Sequence, residues 1–527
     1  MSRELEGRMH DVRGAPWRAA ARRAELPVPL AHPPAPLAHP LRDAAVLAAE
    51  QADLDHATNG LLRRHPELST AAPARPWQTW TLLLLPPAFV ATFVAAPEQA
   101  IFILAAVLVL PFFCVVALRT AALWHTLRGR QAGEALPPRA RAPDSTPLPR
   151  YTLLVPLYDE ADVIPDLLAA LAAIDYPPDK LEVLLILEIT DHTTRAAVAA
   201  AALPTHVTVV VVPDGAPRTK PRALNYALRR ATGQLVVVYD AEDVPEPDQL
   251  RRAARAFEKT PGLGCVQARL NVLNDREGWL TRQFAIEYTV LFDCLLPTLE
   301  RLGLPVPLGG TSNHFSRAVL EEVGAWDPFN VTEDADLGIR LARMGWTVRV
   351  LPSTTWEEAP PRFHIWLKQR TRWLKGWMQT YMVHMRDPAH TARDLGAMRF
   401  FGLQVLMGGL ILSTLVHPWF YVVAVAELAY GPLLASEHST LADAVTVVGF
   451  VNLVLGYVSG VTLGCVAVAG RGRHGLAAWA LLMPAYWLLI SLAAYRALIQ
   501  LATSPYRWEK TKHRPRTAFT APSPPAA

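Results

Sequence analysis

The stretch QLVVVYDAED, residues 234–243, changes character at its midpoint. Residues 235–238 are uninterrupted apolar positions, and Asp240, Glu242 and Asp243 follow almost at once. An apolar run this short, without polar alternation, reads as a strand buried on both faces. The same signature recurs at YTLLVPL (151–157), LEVLLILEI (181–189) and HVTVVVV (206–212). Helical stretches at 161–174 and 221–232 separate these runs, so the pattern predicts a parallel sheet covered by helices. Such sheets bind ligands beyond the carboxyl ends of their strands. The chemistry is therefore expected where the apolar runs stop.

Three of the runs stop in acid-bearing turns: YDE (Tyr158, Asp159, Glu160), EITD (Glu188, Asp191) and DAED (Asp240, Glu242, Asp243). Any one of them is explained equally well by an acid capping the next helix. Three converging on one sheet edge would repel one another, unless they bind a divalent cation or substrate hydroxyls. Mg²⁺ uses one or two carboxylates and completes its shell with phosphate oxygens and water. That points to a nucleotide diphosphate. No Walker lysine loop and no G-x-G-x-x-G follows the first strand, which removes the main feature of a P-loop ATPase or a dinucleotide dehydrogenase. Downstream, NVTEDADLGIRLARMGW (330–346) offers Thr332 as the cap of a helix with Leu337, Leu341 and Met344 on its inner stripe. Glu333 alone fits the helix dipole. Together Thr332, Glu333, Asp334 and Asp336 exceed what one cap requires, so a general base here is at least as well supported.

Residues 77–97, 101–118, 400–426, 444–470 and 475–495 contain no Asp, Glu, Lys or Arg, and a spanning helix needs only about 20 apolar residues. The 527-residue chain is read as an integral membrane protein. Arg119, Arg128, Arg130, Arg139 and Arg141 follow the second stretch, and cations beside a membrane helix mark the cytoplasmic side. The region from there to residue 400 is thus expected in the cytosol. No apolar run precedes a small-residue cleavage site near the N-terminus, so no removable signal peptide is expected. Residues 1–76 are rich in Ala, Pro and Arg, and are expected to be largely disordered apart from one helix around 41–64. The four cysteines have neither paired nor metal-type spacing. A formal net charge of +4 indicates attraction to membrane lipids rather than nucleic acid.

KQRTRWLKGW (368–377) sets cations and tryptophans just ahead of the later apolar stretches. Gln369, Arg372 and Trp373 fall at i, i+3 and i+4, and so share a helix face. Arg370, Lys375 and Trp377 fit an interfacial helix with snorkelling cations and belt tryptophans. If all five apolar stretches cross once, the basic tail from residue 504 lies opposite the catalytic region, against the positive-inside rule. Either residues 400–435 form two short crossings broken near His417 and Pro418, or the Pro484-containing stretch is re-entrant or interfacial. The tail is expected in the cytosol.

DAED, GGTSNHF (309–315), TED (332–334) and QRTRW (369–373), in that order between membrane segments, resemble the family 2 membrane glycosyltransferases. That group includes the cellulose, hyaluronan and poly-N-acetylglucosamine synthases. The likeness covers residues 151–380 and the flanking helices. It implies an α/β GT-A fold, a Rossmann-like mixed sheet, as a cytosolic domain inserted between transmembrane helices of the inner (plasma) membrane. The implied order is an N-terminal segment (1–76), two membrane helices (77–125), a linker (126–150), the GT-A domain (151–362), interfacial helices (363–395), three or four membrane helices (396–503) and a basic tail (504–527).

By the same resemblance, Glu160 and Asp191 contact the uridine of a UDP-sugar, and Lys220 lies near its diphosphate. Asp240 is the first carboxylate of the D-x-D pair. Glu242 stands where the pattern has the second aspartate and Asp243 follows directly, so Asp240, Glu242 and Asp243 are the candidate ligands of Mg²⁺ or Mn²⁺. Asp334, flanked by Thr332 and Glu333, is the implied base, and an unperturbed aspartate titrates near about 3.9. One base without a carboxylate nucleophile implies inversion, so an α-linked donor gives a β-linkage. Gln369, Arg372 and Trp373 form the acceptor face, with the tryptophan on the acceptor sugar and the arginine towards the diphosphate. YRWEKTKHR (506–514) resembles segments that close over bound nucleotide, and equally fits a lipid anchor. The implied acceptor is a growing β-linked polysaccharide that the protein also exports. A lipid acceptor is the alternative, and a non-catalytic transporter or assembly subunit is the reading from a different class.

Overall fold

The computed structural model describes residues 44–131, 147–430, 440–506, Glu509 and Arg514. The proline-dense start of the chain, most of the expected 126–150 linker and most of the tail lie outside these residues.

Eight strands form one sheet in the order β3-β2-β1-β4-β7-β6-β8-β5. They are β1 (Tyr151–Leu157), β2 (Leu181–Glu188), β3 (Val207–Val212), β4 (Leu235–Val238), β5 (Val244–Pro245), β6 (Leu263–Val272), β7 (Asn313–Ser316) and β8 (Thr347–Glu357). The four runs read from sequence are β1 to β4, and they pair in parallel. β7 then runs antiparallel to β4 and β6, so the sheet is mixed, as a GT-A domain requires. Sequence patterning alone indicated a parallel sheet because β5 to β8 are short, carry polar residues or lie far from their neighbours in the chain. The uninterrupted apolar strands are buried as their composition demands: Leu153, Leu154 and Val155 of β1 and Val236 and Val237 of β4 are wholly inaccessible.

Ten helices place the site: α1 (Ala44–Arg64), α2 (Pro76–Ala95), α3 (Pro97–Gln131), α4 (Lys220–Leu228), α5 (Trp279–Thr289), α6 (Glu333–Arg343), α7 (Phe363–His384), α8 (Gly409–Tyr430), α9 (Thr440–Gly470) and α10 (Met483–Thr503). The helix expected around 41–64 is α1. It buries Leu54, Ala57 and Leu61, an i, i+3, i+7 stripe, and Asp53 holds Arg229 at 2.5 Å. The chain beyond it is also docked, because the Thr70 N–H donates to Asp327 at 2.6 Å. Residues 126–131, expected as linker, continue α3.

Five helical segments are long and apolar enough to cross a membrane, Pro76–Ala95, Phe102–Gly129, Ala397–Val422, Val447–Gly470 and His474–Thr503. Helix α8 runs through Pro418 without interruption, so no pair of short crossings is broken at that point. Before α10, Arg471 grips Asp293 at 2.5 Å and Arg473 holds Asp275 at 3.0 Å. After it, Lys375 donates to the Ser504 carbonyl at 3.3 Å and Gln379 to the Pro505 carbonyl at 3.1 Å. Both ends of α10 therefore return to the α/β domain and its α7.

Candidate active site

One cavity of about 1150 Å³ joins the acidic sheet edge to the membrane helices. Glu160, Asp240 and Glu242 line one end, Leu104 and Val445 the other, and Asp334 and Trp373 lie on its wall as well. The residues singled out from sequence divide cleanly by whether they reach this space.

After β1 the chain turns through Asp159, whose φ of 54° lies in the left-handed region that aspartate tolerates better than most residues. Asp191 holds that turn. Its carboxylate accepts the Asp159 N–H at 2.6 Å and caps the helix His192–Ala200 through the Thr194 N–H at 3.1 Å. Burial works against its charge, but these donors outweigh it and keep the carboxyl below its ordinary range. Glu160 lines the cavity; Asp191 stands behind it, so the capping alternative accounts for its position.

After β4, Lys220 Nζ lies 2.5 Å from Asp240 Oδ1 and 2.8 Å from the Gly310 carbonyl. It is the first residue of α4, so the ammonium and the helix N-terminus point positive charge at the same place. Burial disfavours that charge, but Asp240, Glu333 and Asp334 overcompensate and raise the lysine above its ordinary value. Asp243 is turned inward. It is buried, accepts the Asp240 N–H at 2.7 Å and takes the Thr311 hydroxyl. Burial, with Asp240 and Glu242 close by, pushes its carboxyl well above the usual range. Glu242 faces the cavity beside Asp240.

Helix α6 begins at Glu333, with Thr332 at the N-cap position. The expected side-chain cap is not made. Thr332 Oγ1 is buried without a partner among the described residues and is packed so close to α7 that a Cβ on Gly376 would stand 2.2 Å from it. Leu337 and Leu341 form the buried stripe. Asp334 Oδ1 accepts the Ala335 N–H at 2.8 Å, which leaves Oδ2 towards Gly310. Burial, and then the charge of Asp334, pushes Glu333 up to about 7. Burial also raises Asp334, against the pull of the Ala335 N–H, Lys220 and Arg372. The implied base is therefore not the unperturbed aspartate that sequence suggested.

Asp336 serves stability. Its carboxylate pairs with Arg340 at 2.7 Å and with His384 of α7 at 3.1 Å, all three side chains fully buried. Asp336→Ala strands a buried guanidinium, a loss of about 3–5 kcal/mol. The expected outcome is a clearly lower melting temperature of the purified protein, with nucleotide affinity retained in the fraction that remains folded.

On α7, Gln369, Arg372 and Trp373 all line the cavity. Gln369 Oε1 and Arg372 Nε are buried without partners among the described residues, an arrangement costing about 1–3 kcal/mol per group unless a ligand supplies the bond. Trp373 stacks at 25° on Tyr288, 6.1 Å away. Arg370 and Lys375, expected to snorkel towards lipid, do not. Arg370 is buried against Glu287 at 2.6 Å and lies 4.6 Å above the Trp373 ring, while Lys375 is wholly buried. The reason is α10, which covers this face of α7 and substitutes protein for headgroups. Trp377 lines the cavity too.

Glu287, Tyr288 and Glu357 also line the cavity and were missed. For Glu287 a signal exists, an acid within the apolar run FAIEYTVLF. Of YRWEKTKHR, only Tyr506, Glu509 and Arg514 fall among the described residues. Arg514 pairs with Glu358 at 2.5 Å, and Glu358 is a cavity residue.

Residues 149–376 match the family model described as Glycosyltransferase like family 2. The beta-monoglucosyldiacylglycerol synthase of Synechocystis is 29% identical over 282 residues, which is 52% of this chain and 58% of that protein. The poly-beta-1,6-N-acetyl-D-glucosamine synthase of Staphylococcus aureus is 26% identical over 273 residues, 52% of this chain and 63% of that protein. The chain thus spans less than two thirds of the length of either relative. A solved mannosyltransferase from Pyrobaculum calidifontis, in complex with GDP-Man and Mn²⁺, aligns over 69% of this chain and 98% of its own at 25% identity, with a TM-score of 0.42. The mixed sheet, the acids at its edge and the family match agree: residues 149–376 form a family 2 glycosyltransferase domain set between apolar helices.

Proposed function

We propose that the chain is an inverting membrane glycosyltransferase that moves a sugar from a UDP-sugar to an acceptor hydroxyl presented from the membrane side of the cavity. The observation that carries this reading is the single cavity that Asp240, Asp334 and Trp373 share with the membrane helices. In this reading the domain is cytosolic, α2, α3, α8 and α9 cross the inner membrane, and α10 lies in the interface. The contacts at both ends of α10 support that arrangement, and they keep the tail with the domain.

Asp334 accepts the proton of the acceptor hydroxyl as its oxygen bonds to the anomeric carbon. The bond to the donor diphosphate breaks on the opposite face, and its electron pair leaves with the UDP. Lys220, Arg372 and the N-terminus of α4 meet the charge that develops there. Asp240 and Glu242, side by side on the cavity wall, suit Mg²⁺ or Mn²⁺, which need few carboxylates when phosphate oxygens complete the shell. When bound, such a cation supplies Lewis-acid stabilisation of the leaving diphosphate. Asp243 holds the turn that carries both carboxylates. Trp373 offers its face to a sugar ring.

A growing β-linked polysaccharide and a lipid both satisfy this geometry. The length of the cavity supports the first and its apolar outer walls the second. UDP-glucose and UDP-N-acetylhexosamines are the first donors to try. Purified protein with Mg²⁺ or Mn²⁺ and a panel of nucleotide sugars is expected to release UDP from one of them; no release from any would refute the reading. The acid limb of kcat/KM should follow Asp334, whose carboxyl is held above its ordinary value by burial: the base form is present above that raised pKa and is lost as pH falls through it. An acid limb near about 4, the ordinary carboxyl value, would show that this raised group is not the base.

A further inference from the structure

We propose that the acceptor is a lipid with an anionic head group, and that Arg119 of α3 binds that group where the apolar half of the cavity meets the interface helix α10. This rests on the glycosyl-transfer reading and names its acceptor.

Arg119 reads in sequence as a flanking cation that marks the membrane boundary. In the structure it directly follows the charge-free residues 101–118, within the candidate span Phe102–Gly129, and lines the cavity. Its guanidinium reaches the Gly456 carbonyl only at 3.5 Å and sits 5.3 Å from the Trp487 ring. Among the described residues no carboxylate pairs with it. A cation facing a low-dielectric cavity without a counter-charge is costly, and such residues mark ligand sites in membrane proteins. Close by, His417 stands 5.8 Å from Tyr457 and 5.9 Å from Trp487, ring centre to ring centre. His417 Nε2 is buried and has no partner among the described residues. Cation, imidazole and aromatic rings together form a polar pocket halfway along the cavity.

Beyond that pocket the walls are Leu104, Leu108 and Phe112 of α3 and Val445, Phe450 and Leu453 of α9. Asn452, a polar residue among them, commits its amide to the Val109 carbonyl at 3.0 Å. A hydrated glycan needs hydroxyl partners along its path, and these walls supply almost none; a hydrocarbon chain needs only apolar contact. The sequence of environments is apolar groove, then Arg119, then Trp373 and Asp334. That is the order of tail, anionic group and reacting hydroxyl in an amphipathic acceptor.

The test uses the full chain in nanodiscs of phosphatidylcholine, with or without phosphatidylglycerol, and the labelled nucleotide sugar that supports UDP release. Label is expected in the chloroform phase, dependent on phosphatidylglycerol. Arg119→Gln should reduce it at least tenfold and Arg119→Lys should recover part of it, both with unchanged UDP binding. Inorganic phosphate added to phosphatidylcholine discs should not replace the lipid. Label confined to a water-phase or insoluble glycan, equal labelling in phosphatidylcholine alone, or full activity of Arg119→Gln would overturn the proposal; the first of these would restore the polysaccharide reading. The lipid-composition arm does not depend on any variant folding. Absence of any labelled product in both disc types despite UDP release would also overturn the proposal, whereas absence of UDP release from every nucleotide sugar would instead sink the glycosyltransferase reading itself.

Discussion

Asp334→Asn is expected to reduce sugar transfer by about 10²- to 10⁴-fold, the usual contribution of a positioned general base, while UDP-sugar binding stays within about twofold. The substitution is nearly isosteric, and the asparagine oxygen can still accept the Ala335 N–H that orients the side chain. What it removes is the carboxylate towards Gly310, on the same cavity as Asp240 and Trp373. Glu333 cannot simply substitute, because it is more deeply buried and its proton is held up to about 7. A transporter or assembly subunit with a passive nucleotide-binding domain predicts no effect on its cellular activity. Titration calorimetry with the donor, beside a transfer assay, separates the two.

Lys220→Gln is expected to weaken donor binding by about 10- to 100-fold, as the loss of a charge-assisted hydrogen bond of about 1.5–3 kcal/mol implies. Lys220 is the cation nearest Asp240, and its charge also balances Glu333 and Asp334. The variant should raise KM more than it lowers kcat, with a flatter dependence on divalent cation because Asp240 has lost a competitor. A change in kcat alone would assign Lys220 to the chemical step rather than to the diphosphate.

The parallel half of the sheet was legible because its strands are dominated by apolar residues, and β1, β2 and β4 are buried enough to leave little alternation to misread; β3, at the edge, keeps the apolar run although Thr208 and Val209 are exposed. β5 to β8 were not legible, since residues such as Asn313, His314 and Thr354 are buried through specific partners, as when His314 meets Tyr151 at 2.7 Å. At the site, motif spacing located Asp240, Asp334 and Trp373 correctly on one cavity. It could not tell an acid that faces the cavity from one that holds a turn, which is the difference between Glu160 and Asp191 and between Glu242 and Asp243. That distinction depends on which way the carboxylate points. Snorkelling was misassigned to Arg370 and Lys375 for a related reason: sequence shows a cationic helix beside a membrane, but not that α10 folds back to cover it. Sequence marks Arg119 only as a boundary cation; that it lines the cavity was not legible, because its neighbours there, Gly456 and Trp487, lie more than 300 residues away in the chain.

The central claim is that an acid-rimmed nucleotide-sugar site opens directly into a membrane-embedded acceptor passage. Electron cryomicroscopy of the full chain in nanodiscs with UDP and Mn²⁺ tests it most directly. The account predicts diphosphate density beside Lys220, Asp240 and Glu242, and a continuous cavity from there past Trp373 to α3 and α9. Nucleotide bound elsewhere, or a protein wall between Asp240 and Trp373, would contradict it.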